Sequence, residues 1–206
     1  ILNPKSKPQV LLDNLDILLD WLSENDMNPN FEIFTGEAFI QPVVFKIIEK
    51  IINWIPNGSK TYIVIPSNFS FLLNKELENK VRNLLELAKN KKIKILLSSS
   101  FDGKYADEFR PRKNKLPYTD EFYQKCFEFC QEYNFGFHPM LYSEAMPNWI
   151  KNFDWWIENL NKYNINIFEQ LYLLEVRNYN WSISQTRQFY KLISYYTLSI
   201  SQDNEA

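Results

Sequence analysis

Side chains able to hold a ligand gather at five places in this 206-residue sequence, each just after a short apolar run. Thr35-Gly36-Glu37-Ala38 sets a carboxylate beside a glycine, whose missing Cβ lets another backbone approach closely. Carbonyl and carboxylate oxygens accept hydrogen bonds, so this stretch suits a ligand carrying an ammonium or hydroxyl group. Ser67 and Asn68 follow the apolar run that ends at Ile65 and Pro66. Ser98-Ser99-Ser100-Phe101-Asp102-Gly103 leads into a long polar stretch with Asp107, Arg110, Arg112, Lys113 and Lys115. Hydroxyl and guanidinium groups together can grip a carboxylate, arginine bidentately, and long loops inside compact domains are often lids or binding loops. The last two places, Leu141 to Glu144 and Glu175 to Asn178, contribute Glu144, Glu175 and Arg177. Each stretch also has a plainer reading, as a turn or a solvated loop.

Other chemistries are poorly supplied. Cys126 and Cys130 form CxxxC on an expected helix, and His138 is the single histidine, so a metal or iron-sulfur site lacks further ligands. Both cysteines read as small apolar residues on one helical face, and His138 as a half-buried imidazole. No Ser-His-Asp pattern, P-loop or GxGxxG occurs. The aromatic group Trp149, Phe153, Trp155 and Trp156 could stack on bases or sugars, but its helical spacing favours a core, with Trp155 on a different face. With 23 Lys+Arg against 25 Asp+Glu the net charge is -2, so no general electrostatic excess recruits nucleic acid.

The elements that must position these residues follow from periodicity. Val10 to Leu22 carries apolar residues at helical spacing, and Phe31 to Phe34 is a short strand stopping at Thr35. Pro42 opens a helix with Val43, Val44, Ile47, Ile48, Ile51, Ile52 and Ile55. Thr61 to Ile65 is a strand, and Lys75 to Lys89 a helix. Ile93 to Leu97 is a strand, and the helix with Phe122, Cys126, Phe129, Cys130 and Tyr133 follows. A strand over Phe135 to Leu141, a helix with Ile150, Phe153, Ile157 and Leu160, a strand within Ile165 to Val176 and a helix around Phe189 to Tyr196 complete the series. About five strands alternating with helices predict an α/β fold with a parallel sheet covered on both faces. One domain over 1–206 is expected from the length and from the lack of any linker-like region. With 45% hydrophobic residues and no run of about 18 apolar residues, a folded, soluble, cytoplasmic protein with no membrane span is expected. A strand-first repeat that opens on a helix also lacks its first strand, which is expected upstream of Ile1.

In parallel α/β folds the chemistry sits at the carboxyl ends of the strands, and the order of those ends is informative here. FTGEAF at Phe34 to Phe39, IPSNFSFL at Ile65 to Leu72 and SSFDGKYADEFR at Ser99 to Arg110 together resemble the radical S-adenosylmethionine (radical SAM) superfamily. They are most similar to its peptide-modifying, sulfatase-maturase-like branch, whose pattern runs GGEP, TNG, then SxDG with a downstream arginine. The resemblance implies a partial TIM-type (β/α)6 barrel, of which this chain holds the second to sixth βα units. It further implies that Thr35, Gly36, Glu37 and Ala38 take the place of GGEP, which holds the methionine ammonium of SAM. Ser67 and Asn68 would line the same pocket, and Ser100 with Arg110 would face the SAM carboxylate. Asp102 and Gly103 complete SxDG. Thr35 replaces a glycine, Ala38 a proline and Phe69 the glycine of TNG. The family's CxxxCxxC, which ligates the [4Fe-4S] cluster, is absent from these residues, and the missing first strand is where it would follow.

The expected function is therefore that of the SAM-binding central part of an oxidoreductase. With an upstream cluster segment it would generate a 5'-deoxyadenosyl radical that modifies a peptide or other substrate, and alone it would be inactive. Two rivals remain: a non-redox hydrolase on a similar barrel, using Glu37 and Glu175 as paired carboxylates, and a degenerate scaffold that binds a partner without catalysis.

Overall fold

The computed structural model of the chain describes residues 7–33, 37–99, 101–107, 118–175 and 181–203. They form two compact units, residues 1–98 and 99–206. In the first unit α1 (Pro8–Glu24) begins on a proline, which needs no hydrogen-bond acceptor there, and turns Leu12, Leu19 and Leu22 inward. β1 (Phe31–Glu32) follows, then a 3-10 turn over Ala38–Ile40 and α2 (Pro42–Trp54), which buries Val44, Ile48, Ile51 and Ile52. β2 (Tyr62–Ser67) alternates half-buried and buried residues. α3 (Lys75–Asn90) is capped by Asn74, whose side chain accepts from the N–H groups of Glu76 and Leu77, and β3 (Lys94–Ser99) follows it. β2 lies between β1 and β3 in a parallel sheet, with Phe31 level with Ile63 and Glu32 with Val64. The carboxyl ends of β1 and β2 therefore point the same way, and Glu37 and Ser67 follow from that.

The second unit holds α4 (Asp120–Tyr133), β4 (Gly136–Phe137), β5 (Met140–Leu141), α5 (Trp149–Lys162), α6 (Ile167–Gln170), β6 (Leu174–Glu175) and α7 (Ile183–Asp203). β5 and β6 pair in parallel, with Met140 level with Leu174. The single strand expected over Phe135 to Leu141 is two short ones, broken at His138 and Pro139. Proline has no N–H to give a ladder. The aromatic residues of α5 form a core and no platform: Trp149, Phe153 and Trp156 are fully buried. Phe101 stacks on Trp156 at 5.4 Å, and Phe137 packs against Trp156 at 5.0 Å.

Helix endings explain how the chain manages with four glycines. α1, α3, α4 and α5 each stop at a residue of positive φ, namely Asp26, Lys92, Asn134 and Asn164. The N–H of the following apolar residue then reaches back five residues, as in Met27 to Leu22 (2.9 Å) and Ile165 to Leu160 (2.8 Å). This closure usually takes glycine, but asparagine and aspartate tolerate the left-handed conformation. In the first unit Lys91 Nζ also donates to the carbonyls of Ile52 (2.7 Å) and Asn53 (2.9 Å), countering the negative end of α2. Among the described residues no helix is long and apolar enough to cross a membrane.

Candidate functional site

Glu37 sits in extended backbone just before the turn Ala38–Ile40, which is anchored by the buried Ala38 and Phe39. Ser67, buried at the end of β2, donates its hydroxyl to Glu37 Oε1 at 2.8 Å. The backbone N–H of Asn68 donates to Oε2 at 2.6 Å. The carboxylate thus ties the segment after β1 to the end of β2. Burial, the largest influence, pushes the Glu37 carboxyl up from its ordinary pKa, while the bonds from Asn68, Ser67 and the Phe39 N–H pull it back. A carboxylate offers about four acceptor positions. Among the described residues three donors meet it, which leaves one acceptor position toward them unused, and a cationic donor there would relieve the cost of keeping this charge half-buried.

Past Asn68 the backbone turns sharply. Phe69 has φ 59° and ψ 14°, in the left-handed region that favours glycine. A phenylalanine thus holds a backbone shape that glycine adopts without cost. Two local bonds hold the turn: Phe69 N–H to Ser67 Oγ (3.0 Å) and Ser70 N–H to Asn68 Oδ1 (2.8 Å). The Phe69 ring is fully buried, edge-on to Phe71 at 5.7 Å. Apolar burial offsets the backbone strain.

In the second unit the stretch Phe101-Asp102-Gly103 is internal, which overturns its plainer reading as a surface turn. Asp102 is fully buried, and its Oδ1 accepts from the Met140 N–H at 2.8 Å. Its own N–H donates to Asp107 Oδ1 at 2.8 Å, while the Tyr123 hydroxyl donates to Asp107 Oδ2. The Asp102 carbonyl accepts from Asn152 Nδ2 at 2.8 Å and from Trp156 Nε1 at 3.4 Å. Asn152 Oδ1 accepts from the Tyr105 N–H at 3.0 Å. Gly103 has φ +99°, and a Cβ there would lie 2.7 Å from both Asn152 Oδ1 and Trp156 Nε1. Asp102 and Gly103 thus serve as framework for residues 101–107. Asn152 was not singled out from sequence, although a polar residue within the apolar stripe Trp149, Phe153 and Trp156 is the signal that could have found it.

Of the seven residues expected to bind SAM, the structure brings Glu37, Ser67 and Asn68 together. Thr35, Gly36, Ser100 and Arg110 lie outside the described residues, as does Arg177. Glu175 ends β6, and its side chain is likewise outside the description. Glu144 is exposed and accepts from its neighbour's hydroxyl, Ser143 Oγ, at 3.0 Å. A groove of about 550 Å³ lined by Asn28, Asn30 and residues 56–61 opens before β1 and β2, at the opposite end of the strands from Glu37. Cys126 and Cys130 are buried free thiols on α4, their pKa pushed well up by burial. Buried and protonated, they do not suit a cluster. Among the described residues no group of three or more His, Cys, Asp or Glu side chains could hold a metal ion. No family model matches the chain, and no curated protein matches it.

Proposed function

We propose that this chain is the SAM-binding central part of a radical SAM enzyme, arranged as a partial (β/α)6 barrel that works on a peptide or other substrate with a cluster-bearing segment. The observation that carries the reading is the Glu37 carboxylate, held half-buried by Ser67 and Asn68 at the carboxyl ends of two parallel strands. Strand ends of this kind are where parallel α/β proteins place their ligands. Glu37 would accept the methionine ammonium of SAM at its remaining acceptor position, and the buried Ser67 would keep the carboxylate aimed. Ser100 and Arg110 would meet the SAM carboxylate, a pairing that arginine makes bidentately. Bound SAM supplies radical chemistry in such enzymes, and the part of these residues is to bind, orient and exclude water. The described residues do not fit the cluster itself, so no step is assigned to it.

Titration of the purified chain by calorimetry tests the reading. SAM and S-adenosylhomocysteine, which share the amino-acid end, should bind saturably, and methylthioadenosine, which lacks it, should bind far more weakly. Glu37→Ala and Arg110→Ala should each weaken SAM by about tenfold or more, the worth of a charge-assisted hydrogen bond. Equal binding of all three compounds, or unchanged SAM affinity in folded Glu37→Ala, would refute the assignment of the ammonium to Glu37. No binding of any of them to folded chain would refute the SAM reading for this protein.

A further inference from the structure

Two helices carry apolar residues on their outward faces. On α1, Val10, Ile17, Leu18 and Trp21 are exposed, Trp21 by 50% and Ile17 by 68%. At 100° per residue Val10, Ile17 and Trp21 fall within about 40° of one another, on the side opposite the buried Leu12 and Leu19. Asp13, Asp20 and Glu24 form a row along one edge of that stripe, and α1 contains no lysine or arginine. Its remaining acid, Asp16, is paired with Lys50 of α2 at 2.6 Å. On α7, Ile183 (75%) and Tyr190 (66%) are exposed, opposite the buried Leu192. Arg187 and Lys191 edge this second stripe.

The two edges are complementary in sign and in hand. Viewed from the amino end, the acidic row of α1 lies anticlockwise of its apolar stripe, and the basic pair of α7 lies clockwise of its own. Helices set face to face and parallel bring such edges onto the same side. The apolar spacing agrees as well: Val10 to Ile17 and Ile183 to Tyr190 are both seven-residue steps, about two turns. We propose that α1 of one copy of this chain packs in parallel against α7 of a second copy. Trp21, Ile17 and Val10 would meet Tyr190 and Ile183, and Asp13 and Asp20 would lie beside Arg187 and Lys191. A pair of copies that makes the contact twice closes as a two-fold dimer, and a pair that makes it once leaves one face of each kind free for further copies. This association stands whether or not the strand ends hold SAM.

Sedimentation velocity over a concentration series tests it. The chain should self-associate, and raising the salt should weaken the association, because exposed charge pairs are screened. Asp20→Lys and Lys191→Glu should each weaken it severalfold, and an equimolar mixture of the two single variants should recover hetero-association, since the mixed pair holds one contact with its charges reversed and one unchanged. Trp21→Ser should abolish it while leaving the circular dichroism spectrum unchanged, because the ring is on the outer face. A chain that stays monomeric throughout the series overturns the proposal, as does self-association that survives both Trp21→Ser and Lys191→Glu.

Discussion

Replacing Gly103 by alanine strikes the buried network from the inside. The backbone there has φ +99°, which costs a residue with a Cβ about 1–2 kcal/mol. The new methyl would also lie 2.7 Å from Asn152 Oδ1 and Trp156 Nε1, and 3.0 Å from Asn152 Nδ2. Neither neighbour can yield freely. Asn152 is fully buried, and moving it breaks its bonds to the Asp102 carbonyl and the Tyr105 N–H, while Trp156 is enclosed by Phe101 and Phe137. Each buried polar group left unpaired costs about 1–3 kcal/mol, so with two such bonds lost the total comes to about 3–8 kcal/mol. Gly58→Ala is the internal control. Gly58 has φ +73° but nothing within 4 Å of a Cβ, so it should lose only the backbone cost of about 1 kcal/mol. Urea unfolding followed by tryptophan fluorescence measures both, read from the shift in midpoint at unchanged slope. If Gly103→Ala loses no more than Gly58→Ala, the close packing of Asn152 and Trp156 on this turn is wrong.

Four further outcomes follow from the same geometry. Phe69→Ala should be less stable than Phe69→Gly in thermal melts, the reverse of the usual order. Both lose about 3–5 kcal/mol of aromatic burial, but only glycine relieves about 1 kcal/mol of left-handed strain at φ 59°; equal melting temperatures would refute this. Because burial raises the Glu37 pKa, the folded chain keeps this proton where the unfolded chain has released it. Its contribution to stability is therefore full below the ordinary carboxylate pKa and declines as pH rises through the folded value, and Glu37→Gln should flatten that decline. SAM binding should run the opposite way, strengthening across the same window as the carboxylate ionises, and an affinity independent of pH there would argue against contact with Glu37. Finally, Cys126 and Cys130 should resist a thiol reagent in the native chain and both react once denaturant is added, since burial keeps them protonated and enclosed; prompt labelling of native chain would contradict the packing of α4.

Much of this was legible from pattern alone, for physical reasons. The helices at Pro8–Glu24, Pro42–Trp54, Lys75–Asn90 and Asp120–Tyr133 were readable because the face that meets the core repeats every 3.6 residues and because proline, asparagine and threonine mark where helices start. The β2 and β3 runs were readable from their apolar, β-branched composition, and the position of Glu37 just after a strand end followed from the alternation of elements. Three things belonged to the tertiary structure alone. That Glu37 meets Ser67 and Asn68 depends on β1 and β2 pairing in register across about 30 residues of chain, which no local pattern encodes. That Phe69 occupies a glycine-like backbone shape depends on a pocket of phenylalanines large enough to compensate the strain. And that Asp102 is held inside in place of reaching toward solvent depends on Met140, Asn152 and Trp156, which arrive from distant segments to meet its Oδ1 and its backbone carbonyl. Sequence sets the local preferences of a residue, but the partners that fix the work of a buried carboxylate are chosen only when remote segments pack around it.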